Sequence, residues 1–222
     1  MTKVAILQAN LGNFDECIDP IKQEFDVEVI FHRYTDKNFS PITGLTPRLQ
    51  YRIPKTHGWE MFPGYDIYIW IDGGISFERS DCVKWFIEQL GDKDAFFFRH
   101  PFGRRKIRHE VEHIDEKLKA NHPYMIPRYG NGLHKEMYNE ILKDKDYKDN
   151  RLYASTVFAY RNIPKVQQML KDWWYYQSRY YTCDQIHLPY VIWKNKLDIN
   201  VFNENLFKIG YVSLVSHHKE FK

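Results

Sequence analysis

"FPGYDIYIWIDGGISF", residues 62–77, decides the fold. Between the Pro63-Gly64 turn and the Gly73-Gly74 pair, apolar side chains fill nearly every position. A strand with one wet face alternates apolar and polar residues, whereas a strand buried on both faces does not. Residues 65–72 are therefore predicted to form an inner strand of a sheet covered on both sides. The run ends on a carboxylate, Asp72. In open α/β sheets ligands sit beyond the carboxyl ends of strands, so a rigid element would deliver Asp72 to that place. Gly73 and Gly74 would let a ligand or another backbone come close. A lone carboxylate there suits a divalent cation that bridges to a diphosphate. The plainer reading is a strand-ending turn with a hydrogen-bonded aspartate.

Four further segments read as strands: residues 3–9, 27–34, 94–100 and 151–161, short, rich in β-branched or aromatic residues, and bounded by polar or turn residues. Helical patterns lie between them. "FDECIDPIKQEF" (14–25) is predicted to join the first two strands. Residues 80–91 carry Ser80 as an N-cap and Gly91 as a stop. Residues 104–121 place Ile107, Val111, Ile114 and Leu118 on one stripe. Residues 162–181 begin with Pro164 near the first turn, and residues 184–196 form a helix that Pro189 ends or kinks. Alternating strands and helices predict an α/β fold with a mixed, mainly parallel sheet flanked by helices. The Pro/Gly-rich gap at 35–64 reads as a long functional loop. No linker divides residues 1–222, so one domain is expected.

Composition sets bounds. The chain has 222 residues, 43% hydrophobic and 17% aromatic, enough for a substantial core and against disorder. A net charge of +3 is compatible with an anionic ligand or nucleic acid and diagnostic of neither. Three scattered cysteines form neither a disulfide framework nor a metal-type pair. The N-terminal apolar run is too short for a signal segment or membrane span, so a cytoplasmic protein is expected.

"RKIRHEVEHIDEK" (105–117) contains H-E-x-x-H, in which His109 and His113 would share a helix face for zinc and Glu110 would activate water. Three details oppose a zinc hydrolase. Glu112 interrupts what is normally an apolar buried helix, the apolar stripe already has other occupants, and neither Glu136 nor Glu140 stands out as third ligand. A solvated face with pairs such as Glu112 to Lys117 or Arg108 explains the same residues.

Four pieces in order, "RIPKTHGWEMFPGYDIYIWIDGGISF", "FFFRHPFGRRKIRHEVEH", "LYASTVFAYRN" and "YYTCDQIHLPYVIWKNK", make the chain resemble a family of GT-A-type glycosyltransferase-like proteins of plants, bacteria and tailed phages. In that family a His-Pro followed by Arg and a helical Glu is characteristic, which absorbs the HEVEH match. The resemblance implies a GT-A-like (Rossmann-like) fold and a nucleotide-sugar donor, a UDP-sugar first. Ala9 and Asn10 would line the nucleotide, Asp36 would face the base or ribose, and Arg52 and Lys55 would meet the diphosphate. Asp72 would take the first position of a DxD-like motif whose second acidic position is Gly74 here. A Mn2+ or Mg2+ ion would need a further ligand, for which His217 or His218 are the candidates.

Sugar transfer builds charge on the leaving diphosphate, so positive groups must meet it. Beyond Lys55, Arg52 and a metal, His100, Arg104 and Arg105 are candidates for phosphate or an anionic acceptor. Basic residues at a helix start are electrostatically misplaced unless something anionic binds there. The resemblance puts the Asp184-Gln185 pair at the sugar–acceptor junction, with Asp184 as base or orienting group and Glu110 as second candidate. The acceptor expected from the phage members is a hydroxymethylated pyrimidine in DNA, and the aromatic run 172–181 would suit base stacking. A glycan or lipid acceptor, a zinc hydrolase and a non-catalytic nucleic-acid-binding module are the competing readings.

Overall fold

The computed structural model describes residues 2–215. Its main sheet has six strands: β1 (Lys3–Asn10), β2 (Glu28–Thr35), β3 (Ile67–Asp72), β5 (Ala95–Arg99), β6 (Tyr153–Arg161) and β7 (Ile199–Phe202), in the spatial order β2-β1-β3-β6-β5-β7. β6 alone runs against its neighbours β3 and β5, and the remaining pairs are parallel. Strands β4 (Ile75–Phe77) and β8 (Val212–Leu214) pair as a separate antiparallel ribbon. The fold is a mixed α/β architecture, and all five predicted strands are present.

The inner strands behave as two-faced elements. Tyr68 and Trp70 of β3 enter one core while Ile67, Ile69 and Ile71 enter the other. Phe97 and the pair Phe96 and Phe98 divide in the same way along β5. A period of two with both phases apolar is what double coverage requires. One face carries α2 (Arg52–Met61), α4 (Ile107–Lys119), α6 (Leu133–Lys143), α7 (Pro164–Arg179) and α8 (Asp184–Lys194). The other is covered by α3 (Cys82–Leu90), the β4–β8 ribbon and the 3-10 turn Leu206–Lys208. The short helices α1 (Pro47–Gln50) and α5 (Ile126–Tyr129) complete the set.

Two expectations fail for physical reasons. No helix joins β1 to β2: residues 14–25 are irregular, and Ile18 and Ile21 stay exposed. Pro20 removes a donor from the middle of that segment. Side chains satisfy its backbone instead, because Asn10 accepts from the Phe14 and Asp15 amides and donates to the Asp15 carbonyl. Conversely, the expected long loop at 35–64 contains α1 and α2. The buried face of α2 is Arg52, Pro54, Lys55, Thr56 and Gly58, so it shows no apolar stripe. Thr46 caps α1 through the Leu49 amide, with Pro47 in its first turn.

Smaller differences concern helix ends. Asp81 rather than Ser80 precedes α3, while Gly91 does terminate it at a φ of 53°. Pro189 lies inside α8 and does not end it. In the run 172–181, Trp173 and Tyr176 are buried and Tyr175 is the exposed ring, so most of these aromatics serve packing.

Phe96→Ala, among Trp85, Phe86 and Phe98 on the face away from α2, should lower the unfolding free energy by about 3–5 kcal/mol. Urea denaturation followed by tryptophan fluorescence measures it, with an unchanged m-value expected.

Candidate active site

The chain leaves β1 for β2 on one side of the sheet and then returns to β3 on the other. Connections therefore diverge at the carboxyl ends of β1 and β3, the place where open α/β sheets form a ligand crevice. A cavity of about 400 Å3 opens there, within the size range of small-molecule sites. Ala9 and Asn10 from β1, Asp72 at the end of β3 and the Gly73-Gly74 turn after it line one part of the cavity. Arg48, Tyr51, Tyr124 and Arg128 stand over it, and Asp15 comes from the irregular β1–β2 segment.

Beneath the cavity lies a fully buried ammonium. Lys55 Nζ is 3.0 Å from Asp72 Oδ1 and 2.8 Å from Asp184 Oδ2. The rings of Tyr51, Trp70 and Trp173 surround it with centroids 5.6, 5.8 and 5.6 Å from Nζ. Trp70 Nε1 donates to Asp72 Oδ1 at 2.7 Å, and Trp173 Nε1 donates to the Asp184 carbonyl. Burial alone would lower the Lys55 ammonium, but the Asp184 and Asp72 charges outweigh it and hold it above the usual lysine range. Burial would likewise raise Asp184; Lys55 and Arg52, with hydrogen bonds from Lys55 and Ser155, hold it well below the usual carboxylate range. Asp72 goes the other way, raised by burial against the pull of Lys55, with Asp184 adding to the rise. Its side chain is 28% exposed, and Asp72 is the triad member that lines the cavity.

Of the donor-binding candidates, Ala9, Asn10, Asp72, Gly73 and Gly74 come together in the cavity. Gly73 is needed for close packing: a Cβ there would lie 2.5 Å from Asp15 Oδ2 and 2.8 Å from the Ala9 carbonyl oxygen. The neighbour that approaches is therefore protein and not ligand. Arg52 and Lys55 are buried under the cavity; Arg52 donates to the Thr182 carbonyl. Their expected contact with a diphosphate is corrected to support of the residues that line it. Asp36 does not line the cavity and accepts from the Gly12 amide at 2.9 Å. Gln185 accepts from the Cys183 thiol and stays outside.

Glu110 and Asp184 are not cavity walls. Glu110 is buried in an ion pair with Arg104, 3.8 Å from His100 Nε2 and 3.8 Å from Cys183 Sγ. His100 is neutral, pushed down to about 3 by burial and then by the Arg104 charge and His113. His100, Arg104 and Glu110 thus form a structural cluster behind the site, and Arg105 points to a different cavity. In the HEVEH segment, Arg108 pairs with Glu112 as the solvated-face reading requires. Glu110, the base a zinc hydrolase would need, faces the interior, and Glu140 pairs with Lys143.

Among the described residues no group of three or more His, Cys, Asp or Glu is placed to hold a metal ion. Asp72 and Asp15 are the carboxylates that line the cavity, and one Asp72 oxygen receives Lys55 and Trp70. The described residues do not fit a divalent cation, and His217 and His218 lie outside them. Arg48 and Arg128 escape sequence reasoning because nothing in the linear pattern links positions 48 and 128. Arg48 donates to the Arg128 carbonyl and packs over Tyr129 and Tyr181, while Arg128 stacks on Tyr124 at 3.8 Å. The Thr46-Pro47 helix start is the available local signal for the first of them.

These features define an α/β protein with a charged ligand crevice at the strand-order reversal. No known family profile matches the chain. No curated protein matches it either. Among the solved structures similar to this chain, a glycosyltransferase involved in the glycosylation of the major capsid of PBCV-1 superposes with a TM-score of 0.47 at 8% identity, over 90% of this chain and 81% of that one. No helix among the described residues is long and apolar enough to cross a membrane.

Lys55→Met should destabilise the protein by about 3–5 kcal/mol, since it leaves two carboxylates buried without their cation. Lys55→Met/Asp184→Asn should recover a large part of that loss, measured by urea denaturation. The depressed Asp184 carboxyl contributes stability above its unfolded value of 3.8, and that contribution fades as pH falls through the folded value. Between pH 6 and pH 3 the wild type should therefore lose about 1 kcal/mol more than Asp184→Asn.

Proposed function

We propose that the protein is a glycosyltransferase that binds a nucleotide-sugar donor, a UDP-sugar first, in the crevice between the ends of β1 and β3. The observation that carries this is one cavity holding both Asp72, fixed on the Lys55–Asp184 network, and two arginines, Arg48 and Arg128. Arg48 has no carboxylate partner among the described residues; its hydrogen bonds go to carbonyls. A diphosphate that met Arg48 and Arg128 would share its cavity with Asp72.

In the reaction the acceptor hydroxyl oxygen attacks the anomeric carbon, and the bond from that carbon to the diphosphate breaks. The nucleoside diphosphate leaves with the bonding pair, met by the arginine charges. The hydroxyl proton passes to Asp72. A useful base needs a pKa raised toward the working pH; burial moves Asp72 that way, while Lys55 holds Asp184 too acidic. Asp184 is a positioning residue that fixes Lys55, which in turn fixes Asp72. Lys55 partly offsets the Asp72 charge at the oxygen it meets.

Thermal shift and calorimetry with UDP, GDP and CMP test the reading, and one nucleotide should stabilise the protein in a saturable way. Arg48→Gln should weaken that binding by about tenfold. Asp72→Asn should keep donor affinity within a few-fold and cut transfer by about 100-fold or more, while His113→Ala should leave both unchanged. The nucleotide shift should persist in EDTA; its loss there, with restoration by manganese, would return Asp72 to ion binding. No shift with any nucleotide sinks the proposal.

A further inference from the structure

A second cavity, also about 400 Å3, lies against the edge strand β7 beneath the turn that leads from β5 toward α4. Arg99, Arg105 and Arg151 line it, with Asn150 and Asn203 as neutral polar neighbours. The adjacent arginines of the same segment are neutralised: Arg104 pairs with Glu110 and Arg108 with Glu112. Arg99, Arg105 and Arg151 have no carboxylate within ion-pair distance among the described residues. Three guanidiniums around one hollow repel each other unless an anion joins them, and their planar forks match phosphate oxygens.

The placement gives the cavity a relation to the candidate active site. Arg99 ends β5, and Tyr153, its register partner, begins the reversed strand β6. Both therefore lie at the same carboxyl edge of the sheet as Asp72. From the β1/β3 gap to the β5/β7 gap is three strand spacings, roughly 14 Å at 4.7–4.9 Å each. An extended acceptor can reach from one to the other along that edge.

We infer that the Arg99–Arg105–Arg151 cavity is a phosphate-binding site that holds a phosphate of the acceptor while its hydroxyl reaches Asp72. The acceptor role rests on the glycosyltransferase reading; the phosphate site does not. Inorganic phosphate is the first probe, titrated calorimetrically at low ionic strength against wild type and Arg99→Gln/Arg151→Gln. Saturable binding should weaken at least tenfold in the double variant, with the UDP-induced thermal shift unchanged. If that variant does not fold, Arg105→Gln, on an exposed loop, should weaken phosphate binding about threefold.

A short single-stranded oligodeoxynucleotide separates the two sources of phosphate. Displacement of inorganic phosphate by it, with a salt dependence that flattens in the double variant, assigns the site to a nucleic-acid acceptor. Phosphate binding without displacement assigns it to a small phosphorylated acceptor. A folded double variant that binds phosphate like wild type overturns the site. Arginine-dependent phosphate binding in a protein that binds no nucleotide upholds the site and overturns the sugar-transfer reading alone.

Discussion

The buried Lys55 ammonium is the interaction on which the rest of the site depends. A lysine withdrawn from water loses several kcal/mol of solvation, and Lys55 is tolerated because two carboxylates and three aromatic rings enclose it. The enclosure draws on distant parts of the chain. Lys55 comes from α2, Trp70 and Asp72 from β3, Trp173 from α7 and Asp184 from the first turn of α8. Fixing one charge therefore fixes how three helices meet the central strand. It also orients Asp72, because the oxygen that receives Lys55 and Trp70 is held in place.

The same enclosure divides the labour of the two aspartates. Asp184 is 8% exposed, faces Lys55 and lies in the field of Arg52. It is a permanent anion whose work is electrostatic. Asp72 is partly open to the cavity, and burial raises its carboxyl against the pull of Lys55. Two carboxylates on one cation, with their proton affinities driven apart, is a common way to assign separate roles in an active site.

Much of this architecture was legible in the residues. The fully apolar run through Trp70 announced a strand buried on both faces, which β3 is, and Asp72 ends that strand at the cavity. Ile107, Val111 and Ile114 do face the core from α4. What escaped has a consistent physical cause. α2 buries Arg52, Lys55 and Thr56, so periodicity of apolar residues cannot reveal a helix whose inner face is polar. The β1–β2 segment looked helical by composition, yet the Asn10 side chain accepts from the Phe14 and Asp15 amides and Gln23 donates to the Ile21 carbonyl, so side chains meet backbone groups there without a helix. Arg48 and Arg128 meet only through folding, and no local pattern records a meeting of positions so far apart.

The H-E-x-x-H segment shows why spacing alone is a weak guide. Four-residue spacing puts His109 and His113 on one side of α4, but what matters is the direction of that side relative to the core. The stripe of Ile107, Val111 and Ile114 fixes the helix rotation, and Glu110 turns inward with it, onto Arg104. The charge that the motif would spend on a metal-bound water is spent on closing the turn after β5. Arg104 is thereby taken out of ligand chemistry, while Arg105, one residue on, points to the second cavity. The same basic cluster thus splits into an arginine held by Glu110 and one that lines a cavity. Both precede Ile107, the first residue of α4, so the split belongs to the irregular turn after β5 and not to helical periodicity.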